Sequence, residues 1–312
     1  MGKKKHFILY RYLFFIKILK TQMIKVISKF IFNFLNFFDF VLLKVTKRSF
    51  LIWFKDFYEK NSYKKIELNN KQELTFFTPN YLTNWLVDDF FIKEPETLEW
   101  IENFKKENDK IIFWDIGANI GLYSIYAAKI HKNIKVVSFE PSTNNLRVLS
   151  RNISINNLEN DISIFQLPLT DNGPKFADFK ESQFYEGASH NAFNYDLDFE
   201  GKKIKSINNY KIIGTSIKYI LENNILEFPD YIKIDVDGIE HLILKGADKH
   251  LSNIKIKEVQ IEINENYKQH FESIINLMRK NGFKLKSKKR NEDLNIYKND
   301  KFINTYNYYF SR

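Results

Sequence analysis

The chain contains no cysteine. Disulfides, thiolate nucleophiles and cysteine-ligated zinc or iron–sulfur centres are therefore excluded. It has no internal repeat and no Ser/Gly-rich linker. No glycine-rich turn leads into Gly-Lys-Ser/Thr, so the nucleoside-triphosphate loop is missing. The dinucleotide fingerprint G-x-G-x-x-G is missing too. No charge-free apolar run approaches the ~20 residues that cross a bilayer. The longest candidate, Phe30 to Leu43, is short and contains Asp39.

What is present fits a globular protein: hydrophobic residues make up 44% and charged residues 28% of 312. The bias towards Lys, Asn, Ile, Phe and Tyr is compositional and is not read as functional. The formal net charge is +10, and its placement is uneven. Residues 1–50 hold eleven Lys/Arg and one acid, which leaves 37 basic and 37 acidic residues for the rest. The basic character belongs to the leader. A neutral body argues against a nucleic-acid substrate, whose enzymes carry positive charge around the cleft.

The leader, residues 1–60, reads as helical. At about 100° per residue the basic residues of 11–29 fall on one half of a helix. Phe15, Ile16, Leu19, Met23, Val26, Ile27 and Phe30 fall on the other. Such a basic amphipathic helix suits an anionic membrane surface, with contact through residues 7–43. Docking on the body or on a partner chain, and an uncleaved signal-anchor, are the alternatives. The expected location is the cytoplasm, at the inner face of a bacterial membrane. Met1-Gly2 lacks the Ser/Thr at position 6 of a myristoylation signal, since His6 stands there.

Residues 61–105 read as a cap or transition segment, with short strands at 66–68 and 74–77 and a helix start at Glu94-Pro95-Glu96. From 106 to 312 strands and helices alternate. Strands are predicted at 111–115, 135–140, 161–167, 230–235 and 256–263. Helices are predicted at 121–131, 143–157, near 215–224, at 239–249 and at 267–281. Residues 168–210 read as irregular and 282–310 as strand-rich. This alternation predicts an α/β fold, a doubly wound and mostly parallel sheet with a C-terminal antiparallel edge.

In open α/β sheets ligands bind beyond the carboxyl ends of the strands. Three stretches stand there. In Asp115-Ile116-Gly117-Ala118-Asn119-Ile120-Gly121 the glycines permit a sharp turn and close approach to a ligand. The next helix N-terminus offers free N–H groups for a carboxylate such as that of a methionine moiety. Asp115 either balances an amino group or orders the loop. Glu140 ends the following strand, where an acid accepts hydrogen bonds from ribose hydroxyls. Asp235, Asp237 and Glu240 cluster at a third strand end. Three acids so close repel one another unless a cation, donor or proton intervenes. No D-x-D-x-D-G calcium loop is present, and no metal is expected. Asp237 and Glu240 also suit helix capping.

Together these segments resemble the FkbM family of methyltransferases. The matching pieces are Asp115 to Gly121, Phe139-Glu140-Pro141 and Asp230 to Glu240, extended by Leu244-Lys245-Gly246-Ala247 and preceded by Glu94 to Leu98. The resemblance covers about residues 90–285. It implies a class I (Rossmann-like) methyltransferase fold and S-adenosylmethionine as cofactor. It carries methionine-end contacts onto Asp115, Gly117, Asn119 and Gly121, and the ribose contact onto Glu140. It also implies transfer to oxygen on sugars, glycolipids, polyketides or similar metabolites, here a saccharide or lipid-linked glycan. Leu167-Pro168-Leu169 departs from the family's Ala-Leu pair, which leaves the adenine-side contacts open.

A sugar hydroxyl is a poor nucleophile, so a general base is expected. His190, within Glu186 to Asn191, is the first candidate. Asp235 and Asp237 are alternatives, and Asp235 also suits direct contact with cofactor or substrate. Glu262 and Asn264 are candidates for lining the acceptor site, whereas His241 reads as structural. Two other functions compete. An NAD-dependent oxidoreductase or epimerase lacks its fingerprint here, and Tyr219 is followed four residues on by Asn223 where a Tyr-x-x-x-Lys pair needs Lys. A non-catalytic, membrane-recruited binding protein would not need the intact glycine loop and Glu140.

Overall fold

The computed structural model describes residues 2–69, 71–105, 110–292 and 302–312, with the side chains of 2–20 left aside. The chain forms two compact units, Met1–Ser62 and Tyr63–Arg312. The first holds α1 (Gly2–Thr46) and α2 (Phe50–Lys60). Within α1, Thr21–Thr46 is long and apolar enough to cross a membrane, with a mean hydropathy of 1.7. The requirement of a charge-free run passes over this stretch, because Lys25, Lys29 and Asp39 interrupt it.

The second unit opens with an antiparallel pair, β1 (Tyr63–Glu67) and β2 (Glu73–Phe77), followed by α3 (Tyr81–Asp88), α4 (Phe90–Lys93) and α5 (Pro95–Glu102). Asn80 starts α3 with a capping box, accepting from the Thr83 N–H at 2.9 Å. Pro95 occupies the first turn of α5, where a missing N–H removes no helix bond. The sequence pattern sets 61–105 apart as a transition segment. In the structure residues 63–105 are built into the second unit through buried polar bonds. Phe77 N–H donates to Asn152 Oδ1 at 2.7 Å, Trp100 Nε1 to Glu258 Oε2 at 2.8 Å, and Gln260 Nε2 to Thr97 Oγ1 at 2.9 Å.

The alternation then follows: β3 (Ile111–Ile116), α6 (Leu122–Ile130), β4 (Ile134–Phe139), α7 (Thr143–Ile155) and β5 (Ile162–Phe165). After an intervening small sheet come α8 (Ile217–Glu222), β9 (Tyr231–Ile234), α9 (Glu240–Ala247), β10 (Glu258–Asn264), α10 (Lys268–Lys280), β11 (Lys284–Lys289) and β12 (Thr305–Ser311). The main sheet has the order β11-β12-β10-β9-β3-β4-β5. From β10 to β5 every pair is parallel, and β12 runs antiparallel between β10 and β11. The expected doubly wound sheet with an antiparallel C-terminal edge is present. Part of the strand-rich end, 293–301, lies outside the described residues.

Alternation along each strand feeds two cores. Ile111 and Phe113 face one with Ile134 and Val136, while Ile112, Trp114 and Ile116 face the other with Val137 and Phe139. A strand buried on both faces reads as a continuous apolar run, which is why Ile-Ile-Phe-Trp was legible. The expectation of irregular structure at 168–210 is corrected. That stretch carries β6 (Lys175–Glu181), β7 (Ala192–Phe193) and β8 (Asn208–Gly214) as a separate antiparallel sheet in the order β7-β6-β8. Its strands alternate Lys, Asp and Asn with Ile and Phe, a half-exposed pattern that a polar composition obscures.

From β3 the chain steps outwards to β4 and β5, then returns to place β9 on the other side of β3. This is the topological switch point, and the turns after β3, β4 and β9 open onto it.

Candidate active site

The turn after β3 is held by its neighbour strand. Gly117 and Ala118 N–H both reach the Phe139 carbonyl at 3.0 Å. Gly117 has φ +88°, and a Cβ there would stand 1.9 Å from the Asp235 carbonyl oxygen, so the turns after β3 and β9 can touch only through glycine. Asp115 is fully buried beneath the turn. It accepts from Ser124 Oγ at 2.6 Å, and Ser138 Oγ donates to Ser124 Oγ at 2.7 Å. Of the two roles open to Asp115, the geometry supplies the ordering of the loop. Gly121, also at positive φ, packs against Leu149. Neither Asp115 nor Gly121 lines the cavity, whereas Gly117, Ala118 and Asn119 do.

That cavity measures about 440 Å³ and opens at the switch point, within the size of small-molecule sites. Glu140, at the end of β4, lines it while buried. Its two oxygens accept from the Asn119 N–H and the Ser142 N–H, each at 2.8 Å. Burial pushes its carboxyl up to about 8, against the pull of those N–H groups. Asn119 ties the roof down: its amide donates to the Gly187 carbonyl at 3.1 Å. Asn145 does the same from α7, donating to the Ala188 carbonyl at 3.1 Å and accepting from the Gly187 N–H at 2.8 Å. The buried Oδ1 of Asn119 receives no hydrogen bond. A glycine cradle, a buried acceptor without a donor and a strand-end carboxylate form a donor and acceptor set that fits an aminoacyl nucleoside such as S-adenosylmethionine.

His190 sits in the roof with φ +65°. Its N–H donates to Asp237 Oδ2 at 2.6 Å, and its Nδ1 lies 3.4 Å from Asp237 Oδ1. The ring stacks on Phe199 with centroids 5.0 Å apart, and Phe199 stacks on Phe302. The two base candidates thus form one unit on the cavity wall. Asp235 stands apart from them. Lys233 Nζ donates to Asp235 Oδ2 at 2.8 Å, and the lysine is buried. Burial raises Asp235, but the Lys233 ammonium, Lys93 and a hydrogen bond from Glu262 outweigh it and hold the carboxyl below its ordinary value. Glu262 moves the opposite way, pushed well up by burial, Asp235 and Glu94. Burial and its two acidic neighbours thus favour the protonated form of Glu262 beside the ionised Asp235. Burial opposes the charge on Lys233, yet Asp235, Glu94 and Asp115 keep it protonated.

Oxygens of Glu94, Asp235 and Glu262 lie within 4.8 Å of one another, close enough to hold a cation. The Lys233 ammonium already balances part of that charge. Glu240 does not reach the cavity; it accepts from the Val236 and Gly238 N–H groups and pairs with buried His270 at 2.6 Å. Of the two residues expected at the acceptor site, Glu262 lines the cavity, whereas Asn264 caps a turn through the Asn266 N–H at 3.0 Å. His241 is lowered to about 4 by burial and His270, and packs between Tyr195 and His270 outside the cavity. Sequence reasoning missed Lys93, Glu94 and Lys233. Lys233 had a signal, a lone charge inside the apolar strand Tyr-Ile-Lys-Ile.

The model of the methyltransferase FkbM domain matches residues 115–285, more than half of the chain. Methyltransferase sdnD of Sordaria araneosa is 28% identical over 154 residues, covering 43% of this chain and 60% of that protein. The match thus spans less than two thirds of that relative's length. Among solved structures, the fibrillarin pre-rRNA processing protein of Methanococcus jannaschii is 15% identical, with a TM-score of 0.41 over 80% of this chain and 83% of that one. The precorrin-6y C5,15-methyltransferase of Geobacter metallireducens is 11% identical, with a TM-score of 0.39 over 70% and 86%. The dinucleotide-enzyme reading is not favoured. The chain belongs to the FkbM-domain methyltransferases, with S-adenosylmethionine as its methyl donor.

Proposed function

We propose that this methyltransferase acts on a hydroxyl of a saccharide or lipid-linked glycan, with His190 as general base and Asp237 as the group that orients it. The observation that carries this reading is the His190–Asp237 pair on the cavity wall, 3.4 Å apart and tied by the backbone bond at 2.6 Å. Bound S-adenosylmethionine supplies a methyl carbon activated by a sulfonium. Gly117, Ala118 and Asn119 would line its amino-acid end, and Glu140 would accept from ribose hydroxyls. The remaining demand on the protein is alignment, removal of the acceptor proton and exclusion of water.

The acceptor side fits a polyhydroxylated ring. Phe90, Trp85, Tyr123 and Phe302 offer flat apolar faces, and Lys93, Asp235 and Glu262 offer donors and acceptors beside them. A sugar presents both kinds of surface, C–H faces and hydroxyl edges. The test is a set of purified acceptors, from free oligosaccharides to glycolipids and non-sugar alcohols, scored by S-adenosylhomocysteine release. Turnover confined to non-sugar alcohols would end the saccharide reading. No binding of S-adenosylmethionine in calorimetry at near-millimolar cofactor would remove the cofactor site itself.

A further inference from the structure

The first unit carries a long apolar surface. Within α1, from Gln22 to Thr46, every residue but Leu35 and Asp39 is exposed. On a helical projection Lys25, Lys29, Asn33, Asn36 and Lys44 share one side. Ile27, Phe30, Phe34, Phe37, Val41 and Val45 share the other. Phe32, Phe40 and Leu43 fall among the polar residues, so the stripe is narrow and the apolar surface wide. Asp39, the only acid of residues 1–50, does not break the basic stripe, because it is turned to another task. It accepts from Ser49 Oγ at 2.8 Å and from the Phe50 and Leu51 N–H groups at 2.7 and 3.3 Å. Those are the free donors of the α2 N-terminus, where a carboxylate is favoured. Asp39 therefore clamps the start of α2 against α1.

The α2 helix repeats the pattern on a smaller scale. Phe50, Trp53, Phe54 and Phe57 line one side, Lys55, Asp56 and Glu59 the other, and no residue of α2 is buried. Two clamped amphipathic helices thus expose aromatic faces together. In water these faces would be a liability, since monomeric proteins rarely leave so large an apolar patch bare. By length Thr21–Thr46 could cross a bilayer, but crossing would carry Asn33, Asn36 and Asp39 into the hydrocarbon. Lying in the plane keeps that stripe at the headgroups and sinks the aromatic side.

We propose that α1 and α2, clamped by Asp39, form an in-plane anchor whose occupant is the surface of an anionic lipid bilayer. Charge complementarity selects the occupant: eleven Lys/Arg against one acid in residues 1–50 match negative headgroups. The inference is independent of the acceptor reading, because calorimetric binding of S-adenosylmethionine reports the second unit alone.

The chain has no cysteine, so single thiol labels can be placed without background. Full-length F30C, F34C, F37C and V41C on the apolar side, and N33C and N36C on the polar stripe, would each carry an environment-sensitive fluorophore. They would be mixed with vesicles of phosphatidylcholine alone or with added phosphatidylglycerol. The expected result is at least tenfold tighter binding to the anionic vesicles. Apolar-side labels should share one shallow depth, and stripe labels should remain open to an aqueous quencher. Replacing Lys25, Lys29 and Lys44 with Ser should reduce the lipid-charge preference severalfold while cofactor binding stays as in the parent.

Depth that rises to mid-bilayer and falls again along α1, whichever side carries the label, would overturn the proposal in favour of a spanning anchor. Dimers that bury the same labels without lipid would overturn it in favour of a second copy. An intact mass lacking residues 1–46 after expression would show a removed signal segment and overturn it as well.

Discussion

The carbonyl oxygen of Asp235 lies 1.9 Å from where a Cβ on Gly117 would stand. Contact of this kind fuses the turn after β3 with the turn after β9, and both turns line the cavity. Gly117→Ala must displace one of them and force alanine to φ near +88°. The expected cost is about 2–4 kcal/mol of stability, read by chemical denaturation. S-adenosylmethionine affinity should fall at least tenfold in calorimetry. Parental affinity in the variant would show that the β9 turn moves freely and does not shape the cofactor side.

Glu140 makes the cofactor site sensitive to pH. Its folded carboxyl titrates at about 8, against the ordinary value of 4.5. Between those two pH values the folded chain holds a proton that the unfolded chain has released. Stability contributed by this group is therefore greatest at low pH and declines as pH rises towards 8, by up to about 1.4 kcal/mol per pH unit. Glu140→Gln should flatten that decline in denaturation curves taken between pH 5.5 and 8.5. Cofactor affinity should run the other way in the parent, rising with pH as the carboxylate becomes free to accept from ribose. A parent affinity that does not change over this range would separate Glu140 from the ribose contact.

Buried Lys233 pairs with half-buried Asp235 at 2.8 Å, with Glu94 and Glu262 close by. Lys233→Met removes the cation nearest Asp235 and should cost roughly 3 kcal/mol. Adding Asp235→Asn should restore part of that loss, since neutral partners need no counter-ion. The measurement is a double-mutant cycle on unfolding free energy. Additive losses would mean that the ammonium acts through packing against Tyr123, 4.9 Å from its ring centroid, and not through charge.

The parts of this architecture that were legible in the sequence are those whose burial is nearly complete. Ile111 to Ile116 is buried at every position, so its apolar run announced the strand, and the glycines after it announced the turn. Glu140 was legible because it breaks such a run at its end. The small sheet of β6, β7 and β8 was not, because one face meets solvent and its Lys and Asp residues imitate a loop. Lys93 and Glu94 reach the site from a segment before β3, and only tertiary packing brings them to Asp235. Pairing of His190 with Asp237 spans 47 residues, and no local pattern records it.

That pairing gives the most direct test of the chemistry. Asp237→Asn keeps an amide oxygen for the His190 N–H, so the roof turn should hold, but it removes the charge that steadies an imidazole carrying the acceptor proton. His190→Ala removes the base itself. With a responsive acceptor, each change should lower kcat by about 10²–10³-fold. S-adenosylmethionine affinity should stay within about threefold of the parent, because neither side chain is among those assigned to the cofactor. If the two residues act as one unit, the double variant should lose little more than His190→Ala alone. Multiplying losses would assign them separate tasks, and an undiminished kcat in His190→Ala would pass the role of base to Asp235.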